Sequence, residues 1–308
     1  MGSAFGGSLL TLDTAWHAGR LDASGGRSRL LFGNTYEDTG IELAAFEGKR
    51  RVFCIAAAGT TALRLSNEHE VVACDINPTQ LAYAERRAAG GPPETGDAER
   101  ALNVARAFMP LIGWRASVVR DFLALSDASE QMHFWKTRLD TRRFRLGFDT
   151  LLSPPLLRAM YARSFLSFLP ARFGAAVRKR LEQGFSRHRN ALNPYARALL
   201  LGESTGAPAA RRPNIRFVLA DAAAFLESCP AGLFDGFALS NILDGASPAY
   251  RSRLCRAVRH AGAPGAMMVL RSFADPAPDF RTNRAEFDRS MLWGTVDVRG
   301  VHTLAQGC

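Results

Sequence analysis

Between residues 50 and 90 the chain reads RRVFCIAAAGTTALRLSNEHEVVACDINPTQLAYAERRAAG, and few folds accept that pattern. Residues 52–56 are a short apolar run, which predicts a buried strand. Gly59 with Thr60 and Thr61 predicts a tight turn and a helix start, with helix over residues 62–65. Residues 71–74 form a second buried run that ends at Asp75. Pro78 then stands where a helix begins, since its missing N–H is lost there at no cost. Residues 81–89 continue that helix. The stretch is one complete βαβα unit, the opening of a doubly wound parallel sheet.

The alternation stops after residue 90 and resumes at 215–219, a strand followed by Asp221 and a helix through Leu226. A further strand is expected at 234–239, a helix at 250–260, a turn at Gly265 and a fifth strand at 266–270. The expected fold is therefore α/β, Rossmann-like, with a large helical insert between the second helix and the third strand. Residues 31–90 and 213–308 would form the core, and residues 91–212 a helical, basic insert on the acceptor side. Residues 1–30, rich in Gly, Ser and Arg, read as a loose segment. Ahead of the first strand, NTYEDTGIELAAF spaces Ile41, Leu43, Ala44 and Phe46 as a short helix entering the core.

The formal charge of the 308 residues is +10, and residues 138–197 alone hold 13 Arg/Lys against 3 Asp/Glu. Clustering of this kind points to an anionic partner: phospholipid, nucleic acid or an acidic substrate. Within it Leu156, Leu157, Met160, Tyr161, Phe165, Phe168 and Leu169 recur at helical spacing, with Arg158 and Arg163 largely elsewhere. Such a helix either packs into a core or lies on a membrane surface. No run approaches the roughly 20 apolar residues of a bilayer span. The opening MGSAFGGSLL lacks the charged and apolar parts of a signal peptide. The five cysteines show no CxxC spacing and read as unpaired, in a reducing cytoplasmic setting. The six histidines have no ligand spacing, so no metal is expected.

Chemistry-bearing residues concentrate where the expected strands end. The small turn Ala57-Ala58-Gly59-Thr60 allows a ligand close approach to backbone N–H groups. GxGxxG is absent, which disfavours a dinucleotide. Asp75, with Ile76 and Asn77 behind it, ends strand two, where a carboxylate can accept both hydroxyls of a ribose. Asp221, with Ala222, either meets an adenine or caps the next helix. Ser240, Asn241 and Asp244 follow strand four, as ligand contacts or as turn residues. No (D/N)PP(Y/F) follows that strand, which argues against amino methylation of the base or glutamine-amide type. Tyr36, Glu37 and Asp38 precede strand one, as site residues or as a solvated face. Arg271 ends strand five, where a bidentate carboxylate pair is one option. His133, in QMHFWK of the insert, joins Arg271 as a candidate for substrate contact.

In one order, NTYEDTGIELAAF, VFCIAAAGTTALRL, VVACDINPTQLAYAE, GFALSNILDG and GAMMVLRSF resemble the family of the bacterial S-adenosylmethionine:diacylglycerol 3-amino-3-carboxypropyltransferase of betaine-lipid synthesis. The resemblance runs from about Leu31 to Asp275, insert included. It implies a class I methyltransferase-type sheet with S-adenosylmethionine as co-substrate and Gly59, Asp75, Asn77, Asp221 and Asn241 beside it. It further implies attack on the γ-carbon of the methionine part rather than on the methyl group, with methylthioadenosine released. The acceptor would be a lipid or a small molecule. A hydroxyl acceptor needs a base, for which Glu37, Asp38 and Asp244 are the candidates. The basic insert would act as a lid facing lipid, which would place a cytoplasmic protein on the inner membrane surface. Two readings stand beside this one: a methyltransferase acting on a small hydrophobic substrate, and an RNA-binding or RNA-modifying protein. The basic segment is strongly apolar and lacks an RNA module, so nucleic acid is the weaker expectation.

Overall fold

The structure is a computed structural model, and it describes residues 28–160, 166–204, 214–277 and 280–304. The expected loose segment (residues 1–30) falls outside this description except for its last three residues. Tyr161 and Phe165 of the proposed amphipathic helix also lie outside it.

Six strands form one mixed sheet: β1 (Arg51–Ile55), β2 (Glu70–Asp75), β3 (Ile215–Leu219), β4 (Phe234–Ala238), β5 (Gly262–Ser272) and β6 (Thr295–Gly300). Their order is β3-β2-β1-β4-β5-β6. All neighbours are parallel except β6, which runs antiparallel to β5. The architecture is a mostly parallel α/β sheet, compatible with a Rossmann-like fold. The sixth strand has no counterpart among the five expected from sequence. Its burial does not run as a single apolar block, because Asp297 points inward and accepts a hydrogen bond from Thr282 Oγ1 at 2.6 Å.

Period-two alternation divides β1 between two cores. Phe53 faces the layer of Phe234, Phe237, Tyr250, Leu254 and Met268. Val52 and Cys54 face the opposite layer with Phe46, Ala73, Leu81, Ala84 and Val269. The helices Ala222–Ser228 and Pro248–Ala261 cover the first face. The helices Thr60–Leu65 and Pro78–Ala88, together with Gly40–Ala45, cover the second.

The described residues from 97 to 201 contain helices and no strand. They have an aromatic core of their own, in which Trp114 stacks on Phe144 at 4.4 Å and Phe122 meets Phe185 edge-on at 4.8 Å. Three hydrogen bonds of Arg180, to the carbonyls of Leu292 and Phe273 and to Asp275, hold this layer against the sheet. Leu157 packs inward while the adjacent Leu156 stays 44% exposed, so neighbouring positions of that apolar run face different ways. Phe168 lies under the Arg251 guanidinium at 5.1 Å, against the sheet-side helices. Cys54, Cys74 and Cys229 are free, but Cys255 is disulfide-bonded, so the expectation of unpaired cysteines fails there. Among the described residues no helix is long and apolar enough to cross a membrane.

Candidate functional site

The carboxyl ends of β1 to β4 open into a cleft that is open to solvent on one side. It lies where the strand order turns, with β2 and β3 to one side of β1 and β4 to the other. Ala57, Asp75, Ile76, Asn77, Asp221, Ala222, Ser240 and Asn241 all line it.

The turn after β1 is shaped by conformation. Gly59 has φ +80 and caps the Thr60–Leu65 helix, and a Cβ on it would sit 3.2 Å from Ala84. Gly59 is therefore needed for the left-handed backbone and for close packing on the Pro78–Ala88 helix. Ala58 and Thr60 are buried beside it and do not line the cleft. Ala57 has φ 44 and Ser240 has φ 50, both uncommon for residues with a side chain. Two strained positions thus face one cleft, a pattern frequent at functional sites.

Asp75 is half-buried at the end of β2. Its Oδ2 accepts the Ala57 N–H at 3.1 Å and its Oδ1 accepts the Asn77 N–H at 2.9 Å. Burial nevertheless pushes its pKa up to about 6, against the lowering effect of these donors. Each oxygen keeps an acceptor position, because a carboxylate offers about four.

A short strap, residues 28–33, closes one wall. Gln80 holds it: Oε1 accepts the N–H groups of Leu31 and Phe32 at 3.0 and 3.1 Å. Gln80 Nε2 donates to the carbonyls of Phe32 and Ala57, each at 2.8 Å. Asn77 caps the helix through Thr79 and Gln80 N–H and donates to the Arg29 carbonyl at 2.8 Å. Gln80, Leu31 and Phe32 were not among the expected site residues. The N-x-x-Q pattern of Asn77 to Gln80 is a capping-box signature and was the available signal.

Asp221 lines the cleft but its oxygens are engaged. Oδ1 accepts the Ala224 N–H at 2.9 Å as a helix cap, and Oδ2 accepts the Tyr250 hydroxyl at 2.7 Å. Of the two readings for Asp221, the cap is the one the geometry displays.

The remaining candidates stand back from the cleft. Two of them touch a lining residue: Glu37 Oε1 accepts the hydroxyl of Ser240, and Asp244 Oδ2 accepts from Asn241 Nδ2 at 3.4 Å. Burial raises the Glu37 pKa, and the Arg271 charge offsets only part of this. Arg271 is fully buried and pairs with Glu42 through both terminal nitrogens, with Asp288 at 3.1 Å and Glu37 at 3.7 Å beyond. The bidentate carboxylate partner is thus internal, and Arg271 does not reach the cleft. Asp38 is held by Arg289, with Nη2 at 2.6 Å. Burial raises its pKa, but the hydrogen bonds and charge of Arg289 outweigh this and the net shift is downward. Asp244 is buried, accepting from Ser272 Oγ at 2.6 Å and the Phe273 N–H at 3.1 Å, and burial raises its pKa. Tyr36 is pushed up to about 12, first by burial and then by Glu99. Its carbonyl accepts the Trp293 indole N–H at 3.0 Å. His133 is exposed on the Ala128–Phe134 helix and does not line the cleft.

No protein-family model matches this chain, and no curated protein matches it.

Proposed function

We propose that this protein is an S-adenosylmethionine-dependent transferase that moves the 3-amino-3-carboxypropyl group to a lipid or small-molecule acceptor and releases methylthioadenosine. The observation that carries the reading is Asp75, a carboxylate at the end of β2 with acceptor capacity left on both oxygens and too few donors for its burial. The two hydroxyls of a ribose would supply those donors. Ile76, with Ile55 and Ala57 in the same wall, gives an apolar seat for a purine, and Phe32 of the strap adds an aromatic edge. The residues present therefore fit an adenosine. A reversed strand beside β5 is also in keeping with a class I methyltransferase-type sheet.

The bound co-substrate would supply a sulfonium whose attached carbons are electrophilic, and the carbon aligned with the acceptor reacts. The chain's own part is to exclude water beneath the strap and to remove the acceptor's proton. Glu37 and Asp244 both touch the cleft wall and both have a pKa raised by burial, and Glu37 suits that role best because it accepts fewer hydrogen bonds from the protein. Asp38 is neutralised by Arg289, and Asp244 is occupied in tying the end of β5.

The same cleft would serve a methyltransferase, and the products separate the two. Mass spectrometry after incubation with S-adenosylmethionine and a lipid or metabolite extract should detect methylthioadenosine and a product heavier by the aminocarboxypropyl group. S-adenosylhomocysteine instead would establish methyl transfer. Failure to bind S-adenosylmethionine at all would remove both readings.

A further inference from the structure

The helical layer displays apolar side chains that the sheet does not cover. Val104, Phe108 and Leu111 follow one another at i, i+4 and i+7, and they are 59%, 60% and 73% exposed. They run from the Asp97–Phe108 helix into the Met109–Ile112 turn. That turn packs on the Arg142–Leu151 helix, where a Cβ on Gly147 would lie 2.9 Å from Ile112. Leu146, beside that contact, is 73% exposed, and Leu151 and Leu156 follow around the next helix junction.

On the same segments stand Arg115, four residues beyond Leu111, and Arg142 and Arg143, at the start of the helix that carries Leu146; all three are exposed and without an ion pair among the described residues. Other arginines of the layer are neutralised in place: Arg145 by Asp140, Arg178 by Asp149 and Arg197 by Glu203. Arg142 and Arg143, four and three residues before Leu146 on one helix, therefore stand free beside an exposed aliphatic side chain.

We infer that this face docks on an anionic phospholipid surface. Aliphatic side chains on helix ends and turns can enter the interface, while arginines hold the headgroups. Long basic side chains reach outward from such a plane. Nucleic acid is less well matched, since single-stranded RNA needs aromatic platforms and this face offers one phenylalanine among aliphatics. The placement has a consequence for the cleft. The Asp97–Phe108 helix is tied at its start to the strap, where the Gly33 N–H donates to Glu99 Oε2 at 2.7 Å and the Asp97 N–H to the Leu30 carbonyl at 2.9 Å. At about 1.5 Å per residue, the strap and the apolar face are joined by a helix of 12 residues, roughly 18 Å long. Docking would bring the cleft mouth within reach of a lipid headgroup, and this last step rests on the transferase reading above.

The test is co-sedimentation of the full chain with phosphatidylglycerol vesicles and with phosphatidylcholine vesicles at about 0.1 M salt. The protein should pellet with the anionic vesicles and remain soluble with the zwitterionic ones. A Phe108→Ser, Leu111→Ser, Leu146→Ser variant should bind at least about tenfold more weakly, with its circular dichroism unchanged. Arg142→Gln with Arg143→Gln should weaken binding and flatten its salt dependence. Equal binding by wild type and the serine variant would overturn the proposal, as would no binding to any vesicle. So would salt-sensitive binding to RNA or to a protein partner that the same substitutions abolish in the absence of vesicle binding. Calorimetry with S-adenosylmethionine on the same samples keeps the outcomes apart, since vesicle docking and cofactor binding can each fail alone.

Discussion

The Oδ2 of Asp75 accepts the backbone N–H of Ala57 at 3.1 Å, so the end of β2 fixes the turn that follows β1. One carboxylate therefore sets the backbone of the cleft and faces into it. Asp75→Ala should weaken S-adenosylmethionine binding by about 100-fold, the worth of roughly two hydrogen bonds to a charged group. Asp75→Asn should lose less, because its amide oxygen still accepts. Calorimetric titration measures both, and unchanged affinity in the alanine variant would remove Asp75 from the site.

The same carboxylate predicts a pH dependence. Burial puts its pKa near 6, whereas ribose hydroxyls are best accepted by the ionised form. Affinity should be full above about pH 7 and fall by up to tenfold per unit below 6. The free protein behaves in the opposite sense. Its fold favours neutral Asp75, so this group's contribution to stability rises as pH falls from about 6 toward the ordinary carboxylate range. An affinity flat from pH 5 to 8 would contradict the assignment.

Glu37→Gln keeps the side chain's shape and its bond to Ser240 while removing the base. Turnover should fall by about 100-fold or more, with co-substrate affinity little changed. The rate of methylthioadenosine formation, set against calorimetry, separates the two effects. Equal turnover in the glutamine variant would transfer the role to another group.

Arg271 is a single cation serving Glu42, Asp288 and Glu37 in a fully buried position. Arg271→Met should destabilise the fold by about 3–5 kcal/mol, because buried carboxylates lose their counter-charge. The sign of the accompanying pH effect follows: protonation removes the uncompensated charge, so the variant should regain stability toward pH 5. Urea unfolding at two pH values tests this. A loss independent of pH would point to packing alone.

Gly59→Ala faces two obstacles at once, φ +80 and a Cβ contact of 3.2 Å with Ala84. A destabilisation of about 1–3 kcal/mol is expected, read as a lower urea midpoint at unchanged slope.

The sheet and the part of the cleft at the ends of β1 and β2 were legible from short stretches of chain. Apolar runs of four to six residues placed β1 to β4 within a residue or two, and the core of β5. Gly59, Asp75 and Asn77 were readable because turns and caps are set by neighbours in sequence. Strand β6 was not legible, because its inward Asp297 breaks the apolar signal.

What the sequence determined by itself is the local geometry: where strands end, which residues cap helices, and that Asp75 stands at the end of β2. Only the tertiary structure decided the pairing of Glu37 with Ser240 across 203 residues and of Arg271 with Glu42 across 229. The apolar face beyond the strap belongs to the same class. Local periodicity is encoded in backbone sterics within a few residues, whereas charge pairing and exposure depend on which distant segments packing brings together.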